Sequence, residues 1–150
     1  MVSKIYRFTS VVSEKKAKGV KIHDVIPLSY EERHVRRKVL PMANGNTLIF
    51  DFIQTVQLSE GDLLMSESGE FFRVKALDES LYEVRGKNSV HLLELAWHCG
   101  NRHLAIEICL DCLRVFRDPV IGATLKKLDA DVQEITDSFH PFHGGSHVHR

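Results

Sequence analysis

Nine histidines occur in this chain of 150 residues, and four of them, His140, His143, His147 and His149, fall in its last eleven positions. Neutral imidazole suits zinc, copper and nickel ions. With glycines between them, the four read as a metal-binding tract rather than an ordinary polar tail. A fifth, His103, closes the run Gly100-Asn-Arg-His. One imidazole does not make a metal site, and a lone histidine is more often hydrogen-bonded structure. A twofold axis changes that reading, because a residue near the axis faces its own copy and one ligand per chain becomes two.

A second constellation is Cys109-Leu-Asp-Cys112. A two-residue turn at Leu110-Asp111 pairs Cys109 with Cys112, Ile108 with Leu113, Glu107 with Arg114 and Ile106 with Val115. That register puts the aliphatic side chains on one face and both thiols, with Glu107 and Arg114, on the other. Cross-strand Cβ atoms about 5 Å apart let such a pair chelate a metal or close a disulfide. A single C-x-x-C is only half a zinc site, and inert thiols at a hairpin tip are the favoured reading. With Cys99 the count is three, which gives no disulfide framework. His91, Glu94 and His98 share a helical stripe, read here as a solvated face because no further ligand accompanies them. There is no Gly-x-Ser-x-Gly, no glycine-rich phosphate loop and no His-Glu-x-x-His, so an enzyme is not expected.

The elements that must hold these residues fall into two halves. Residues 1–77 read as an all-β module of short strands. Residues 37–42 and 47–52 flank Ala43-Asn-Gly-Asn46, a strong hairpin signal, and turns are expected at Glu60-Gly-Asp62 and Glu67-Ser-Gly69. The capping-box pattern Ser29-Tyr-Glu-Glu32 is set aside in favour of that hairpin. The texture changes at residues 76–79, the expected boundary. Residues 78–138 read as β-α-β-β-α-β, a ferredoxin-like unit. Asn88 or Ser89 caps its first helix, which is expected to run to Cys99, with Gly100 as the left-handed residue that stops it. Asp118-Pro119 starts its second helix, whose apolar stripe is Ile121, Leu125 and Leu128. Residues 139–150 are expected to form a mobile, histidine-rich tail. The fold class is therefore α+β.

In the first helix Val90, Leu92, Leu93, Leu95, Ala96, Trp97 and Cys99 spread over more than half the circumference, more than one sheet face covers. Composition is globular, with 43% hydrophobic and 27% charged residues, and no apolar run approaches a membrane span of roughly 18 residues. Neither a membrane nor a signal segment is indicated, and a cytoplasmic setting is expected. The formal net charge is zero. It hides ten basic against four acidic side chains in residues 1–40, read as a lysine-studded strand edge.

The segment Leu92-Leu-Glu-Leu-Ala-Trp-His-Cys-Gly-Asn-Arg-His-Leu104 resembles the signature of the UreE family of urease accessory proteins, which are nickel metallochaperones. Glu60-Gly-Asp-Leu-Leu64, Gly69-Glu-Phe-Phe-Arg-Val74 and Arg117-Asp-Pro-Val-Ile121 extend the resemblance over nearly the whole chain. It implies a homodimer joined through the second domain, with Ni2+ on His103 at the dimer axis and help from tail histidines. His147, His149 and His143 are the candidates for that help, with Cys109 and Cys112 as a secondary site. It also implies delivery of nickel to apo-urease through a complex with the GTPase accessory protein UreG. The spaced histidines depart from the long polyhistidine tails of some members, and Cys109-x-x-Cys112 is not a family hallmark.

Two rival functions are compatible with the sequence. One is an RNA-binding module, since the β-α-β-β-α-β order is shared with RNA-recognition domains; residues 112–117, however, offer only Phe116 for base stacking. The other is a zinc or copper chaperone working through the Cys109/Cys112 hairpin. Zn2+ or Cu2+ binding in vitro stays open, since Cu2+ outranks Ni2+ at most nitrogen sites.

Overall fold

The computed structural model describes residues 2–13, 16 and 18–142. The chain divides into two compact units, Met1–Leu77 and Asp78–Arg150.

The first unit is one six-stranded sheet in the order β2-β6-β5-β1-β4-β3. Its strands are β1 (Ile5–Val12), β2 (Ile22–Leu28), β3 (His34–Pro41), β4 (Thr47–Gln57), β5 (Leu63–Ser66) and β6 (Phe71–Ala76). The β3–β4 hairpin closes on the Asn-Gly turn, where Gly45 takes φ +90° and its N–H donates to the Met42 carbonyl at 3.0 Å. Strand alternation turns Tyr6, Phe8, Leu48, Phe50, Phe52, Phe72 and Val74 to one buried side. Phe8 packs edge-on to Phe72 at 5.1 Å and stacks on Phe50 at 5.7 Å.

Three features of this unit depart from the reading above. A one-turn helix, α1 (Tyr30–Arg33), does form, and its box is complete: the Glu32 N–H donates to Ser29 Oγ while the Ser29 N–H donates to Glu32 Oε1. It does not compete with the hairpin because β3 starts only at the next residue. Strand β4 has eleven residues and is not short. Strand β2, a sheet edge, was not anticipated; its Pro27 is tolerable because an edge strand can spare a ladder donor. The other edge, β3, carries exposed Arg36, Arg37 and Lys38, as expected of a basic edge. Part of the basic surplus is paired, since Arg7 reaches both Asp51 and Glu67.

The second unit runs β7 (Asp78–Arg85), α2 (Ser89–Asn101), β8 (Glu107–Ile108), β9 (Leu113–Phe116), α3 (Pro119–Lys127) and β10 (Asp131–Ser138). The sheet order β10-β7-β9-β8 with antiparallel neighbours is the ferredoxin-like arrangement. Tyr82, Val84, Leu113 and Val115 on the sheet meet Leu95 and Cys99 of α2 and Leu125 of α3, so both helices lie on one face. Asp118 caps α3 by accepting from Val120 and Ile121 N–H groups, with Pro119 in the first turn.

The fold continues past β10. Phe139 is fully buried and meets Phe116 edge-on at 4.5 Å, and Pro141 is also buried. The His140 N–H donates to Glu107 Oε1 at 3.0 Å, and the Phe142 N–H donates to the Ile106 carbonyl at 2.7 Å. The chain thus leaves β10 at one sheet edge and crosses to the strand at the other, so the first four residues of the expected tail are part of the packed unit. Their apolar members explain it, because burying an aromatic side chain contributes more than a polar tail's freedom.

Candidate metal site

Helix α2 runs two residues farther than its glycine suggested, to Asn101. Gly100 lies inside the helix, Arg102 is the C-cap, and His103 is the residue in the left-handed region, at φ +59°. Its N–H donates to the Gly100 carbonyl at 3.0 Å, and the Leu104 N–H donates to the Cys99 carbonyl at 3.2 Å. These two bonds are the Schellman pair, and Cys99 with Leu104 supplies the apolar contact that goes with it. Histidine is one of the few non-glycine residues found in this conformation with some frequency. The consequence is positional: the His103 side chain is exposed, immediately beyond the helix end.

The helix buries Leu95 and Cys99 and leaves its opposite side open. Val90, Leu93 and Trp97 are 67, 70 and 63% exposed, an apolar stripe along one helix face that leads toward His103. The wide arc seen in the sequence is therefore half covered by the chain's own core.

His91 does not belong to a solvated stripe. The Lys87 N–H donates to its Nδ1 at 2.9 Å, which leaves Nε2 to carry the proton and donate to the Leu128 carbonyl at 2.8 Å. It ties the start of α2 to the end of α3. His98 lies edge-on to Trp97 at 5.1 Å, and its carbonyl accepts from Arg102.

The cysteine hairpin has the register read from the sequence, with Glu107 opposite Arg114 and Ile108 opposite Leu113. The Cys109 N–H donates to the Cys112 carbonyl at 3.0 Å. Both thiols lie on the face away from the helices, where Cys109 donates to Glu107 Oε2 at 3.8 Å and Cys112 to Glu83 Oε1 at 3.6 Å. Arg114 joins Glu83 at 3.2 Å, Glu107 at 3.8 Å and Asp137 at 2.9 Å. Burial, with Cys112 and Glu107 adding to it, pushes the Cys109 thiol up to about 12, and burial raises Cys112 as well. Against the cost of burial, the Arg114 and Arg85 guanidinium groups hold the Glu83 carboxyl below the ordinary range. All three cysteines are free thiols.

Among the described residues no three His, Cys, Asp or Glu side chains gather to hold a metal ion. Among the described residues of one chain, His103 therefore stands as a single donor. His143, His147 and His149 lie outside the described residues. His140 is exposed, its ring nitrogen 2.8 Å from Ser138 Oγ.

Residues 8–77 match the N-terminal domain of the UreE urease accessory protein, and residues 79–150 match its C-terminal domain. The chain belongs to the UreE family. Among its relatives, the urease accessory protein UreE of Rhizobium meliloti (strain 1021) is 43% identical over 144 residues, covering 96% of this chain and 93% of the relative. That of Sinorhizobium fredii is 44% identical over 142 residues, covering 95 and 89%, and that of Brucella anthropi is 37% identical over 153, covering 97 and 87%. Membership in the UreE family implies a part in urease maturation, with nickel and a chaperone role following from it. Among the described residues no helix is long and apolar enough to cross a membrane.

Proposed function

We propose that this chain is a nickel-carrying chaperone, not an enzyme, that delivers Ni2+ for assembly of the urease active site. It acts in the cytoplasm as a homodimer, in a complex with the GTPase accessory protein UreG and apo-urease, and needs neither nucleic acid nor a membrane. The observation that carries this reading is the exposed, left-handed His103 beyond the open Val90-Leu93-Trp97 stripe. A second copy packed on that stripe covers the apolar surface and brings a second His103 to the axis. Two imidazoles are then two of the ligands nickel requires.

The remaining ligands come from the tail. Ile106 is three residues from His103, so their Cα atoms are within about 11 Å. Because Phe142 is bonded to Ile106, the tail starts close to the site. A segment tethered beside its target acts at high effective concentration, which favours closure by His143, His147 or His149 over ligands from solution. Imidazole ligates only as the neutral base, so acid opposes loading.

The RNA-binding reading loses ground on one contact, because Phe116, the strand aromatic it needs, is already engaged edge-on with Phe139 and is only 36% exposed. The test is reconstitution. Nickel-loaded protein added with UreG, GTP and apo-urease should restore urease activity in the presence of a chelator that removes free nickel. Activation equal to that from free nickel alone would overturn the proposal.

A further inference from the structure

The nickel reading leaves the thiol pair unused. We propose that Cys109 and Cys112 form a two-sulfur site for a soft monovalent cation of the Cu+ class, separate from the nickel ligands. The two residues close a two-residue turn and oppose each other across the hairpin, so their side chains share one face. Cys112 is buried and Cys109 is half-buried, which opens the pair to solvent only at the hairpin tip. Glu107 and Glu83 each accept a hydrogen bond from one thiol, and Arg114 stands between the two carboxylates.

The donor set decides the ion. Thiolate sulfur selects soft cations. Zinc needs four ligands and nickel also favours more than two, yet among the described residues no three His, Cys, Asp or Glu side chains are placed to hold one ion, and the nearby Glu83 and Glu107 carboxylates are engaged by Arg114. Cu+ is satisfied by two sulfurs. On binding, two S–H bonds break, two S–Cu bonds form, both protons leave to solvent and the copper stays monovalent. The resulting bis-thiolate carries one net negative charge, and Arg114 with Arg85 supplies the opposite sign beside it. Both arginines also pair with Glu83, so the carboxylates keep them in place when the thiol protons depart.

The test is anaerobic titration of the full chain with Cu+ against a colorimetric Cu+ chelator, with X-ray absorption on the loaded protein. The expected result is one Cu+ per chain with two sulfur neighbours, lost at least tenfold in affinity in both Cys109→Ser and Cys112→Ser. Cys109→Ser is the safer variant because its side chain is half-exposed, and circular dichroism checks that each variant is folded. His103→Gly should keep the copper site, and both serine variants should keep wild-type nickel stoichiometry. Unchanged copper affinity in folded Cys109→Ser would overturn the proposal. So would nitrogen neighbours alone, or a zinc ion bridging two chains through four thiolates with higher preference than Cu+.

Discussion

The Phe142 N–H donates to the Ile106 carbonyl at 2.7 Å, which joins the end of the described chain to the short segment between His103 and β8. This bond, with the buried Phe139, holds residues 139–142 in the packed unit. Truncation after Phe142 should therefore leave the thermal stability of the metal-free protein unchanged. Truncation after Ser138 should lower it. Phe139→Ala alone should cost about 3 kcal/mol in chemical denaturation, in the range for a buried phenylalanine. Equal melting temperatures for the two truncations would contradict the packed position of residues 139–142.

His103 holds the left-handed position that glycine occupies at no steric cost. His103→Gly should raise the stability of the metal-free protein by about 1 kcal/mol while removing the tightest nickel site. His103→Ala should not be stabilising, since alanine keeps the Cβ that makes this conformation costly. Urea denaturation of the three proteins separates these outcomes; a destabilised glycine variant would mean that the imidazole contributes to the fold.

Much of this was legible in the sequence where the signal is local. The Asn-Gly hairpin, Asp118-Pro119 at the start of α3 and the Glu107–Arg114 register depend on residues within a few positions of each other. What was not legible depends on distant partners. The end of α2 was misplaced because Gly100 resembles a stop, whereas Leu104 completes the motif around His103 by packing back on the core. His91 looked solvated because its acceptor, the Leu128 carbonyl, lies 37 residues away. Strand β2 pairs in parallel with β6, whose partner residues lie 48 positions on for Asp24 to Leu28, and Pro27 masks its pattern. The membership of His103 in the family's metal motif was carried by resemblance, since spacing alone leaves a lone histidine ambiguous.

Both ring nitrogens of His91 are occupied, by the Lys87 N–H and the Leu128 carbonyl. His91→Ala should destabilise the second unit by about 2 kcal/mol, because a part-buried carbonyl at the end of α3 loses its donor. Nickel stoichiometry should not change. A loss of nickel binding in a stably folded His91→Ala protein would instead make His91 a ligand.

The Ser66 and Ser68 hydroxyls hold the Glu70 carboxyl down at about 2, against 4.5 ordinarily. A depressed folded value means that Glu70 contributes stability above about pH 4.5, and that the contribution is lost as the pH falls toward 2. Glu70→Gln should thus melt below the wild type at neutral pH, with the gap closing between about pH 4.5 and 2. A gap independent of pH would show that the carboxylate charge is not what the two serines stabilise.

On the proposed function, His103 becomes a nickel site by being shared between two chains. Native mass spectrometry of the protein at limiting nickel tests it most directly, because it reads mass and metal count on the same particle. The expected result is a dimer carrying one tightly held Ni2+, and a His103→Gly dimer that carries none at the same nickel concentration. A monomer holding its own tight Ni2+, or a His103→Gly dimer that retains it, would contradict the account.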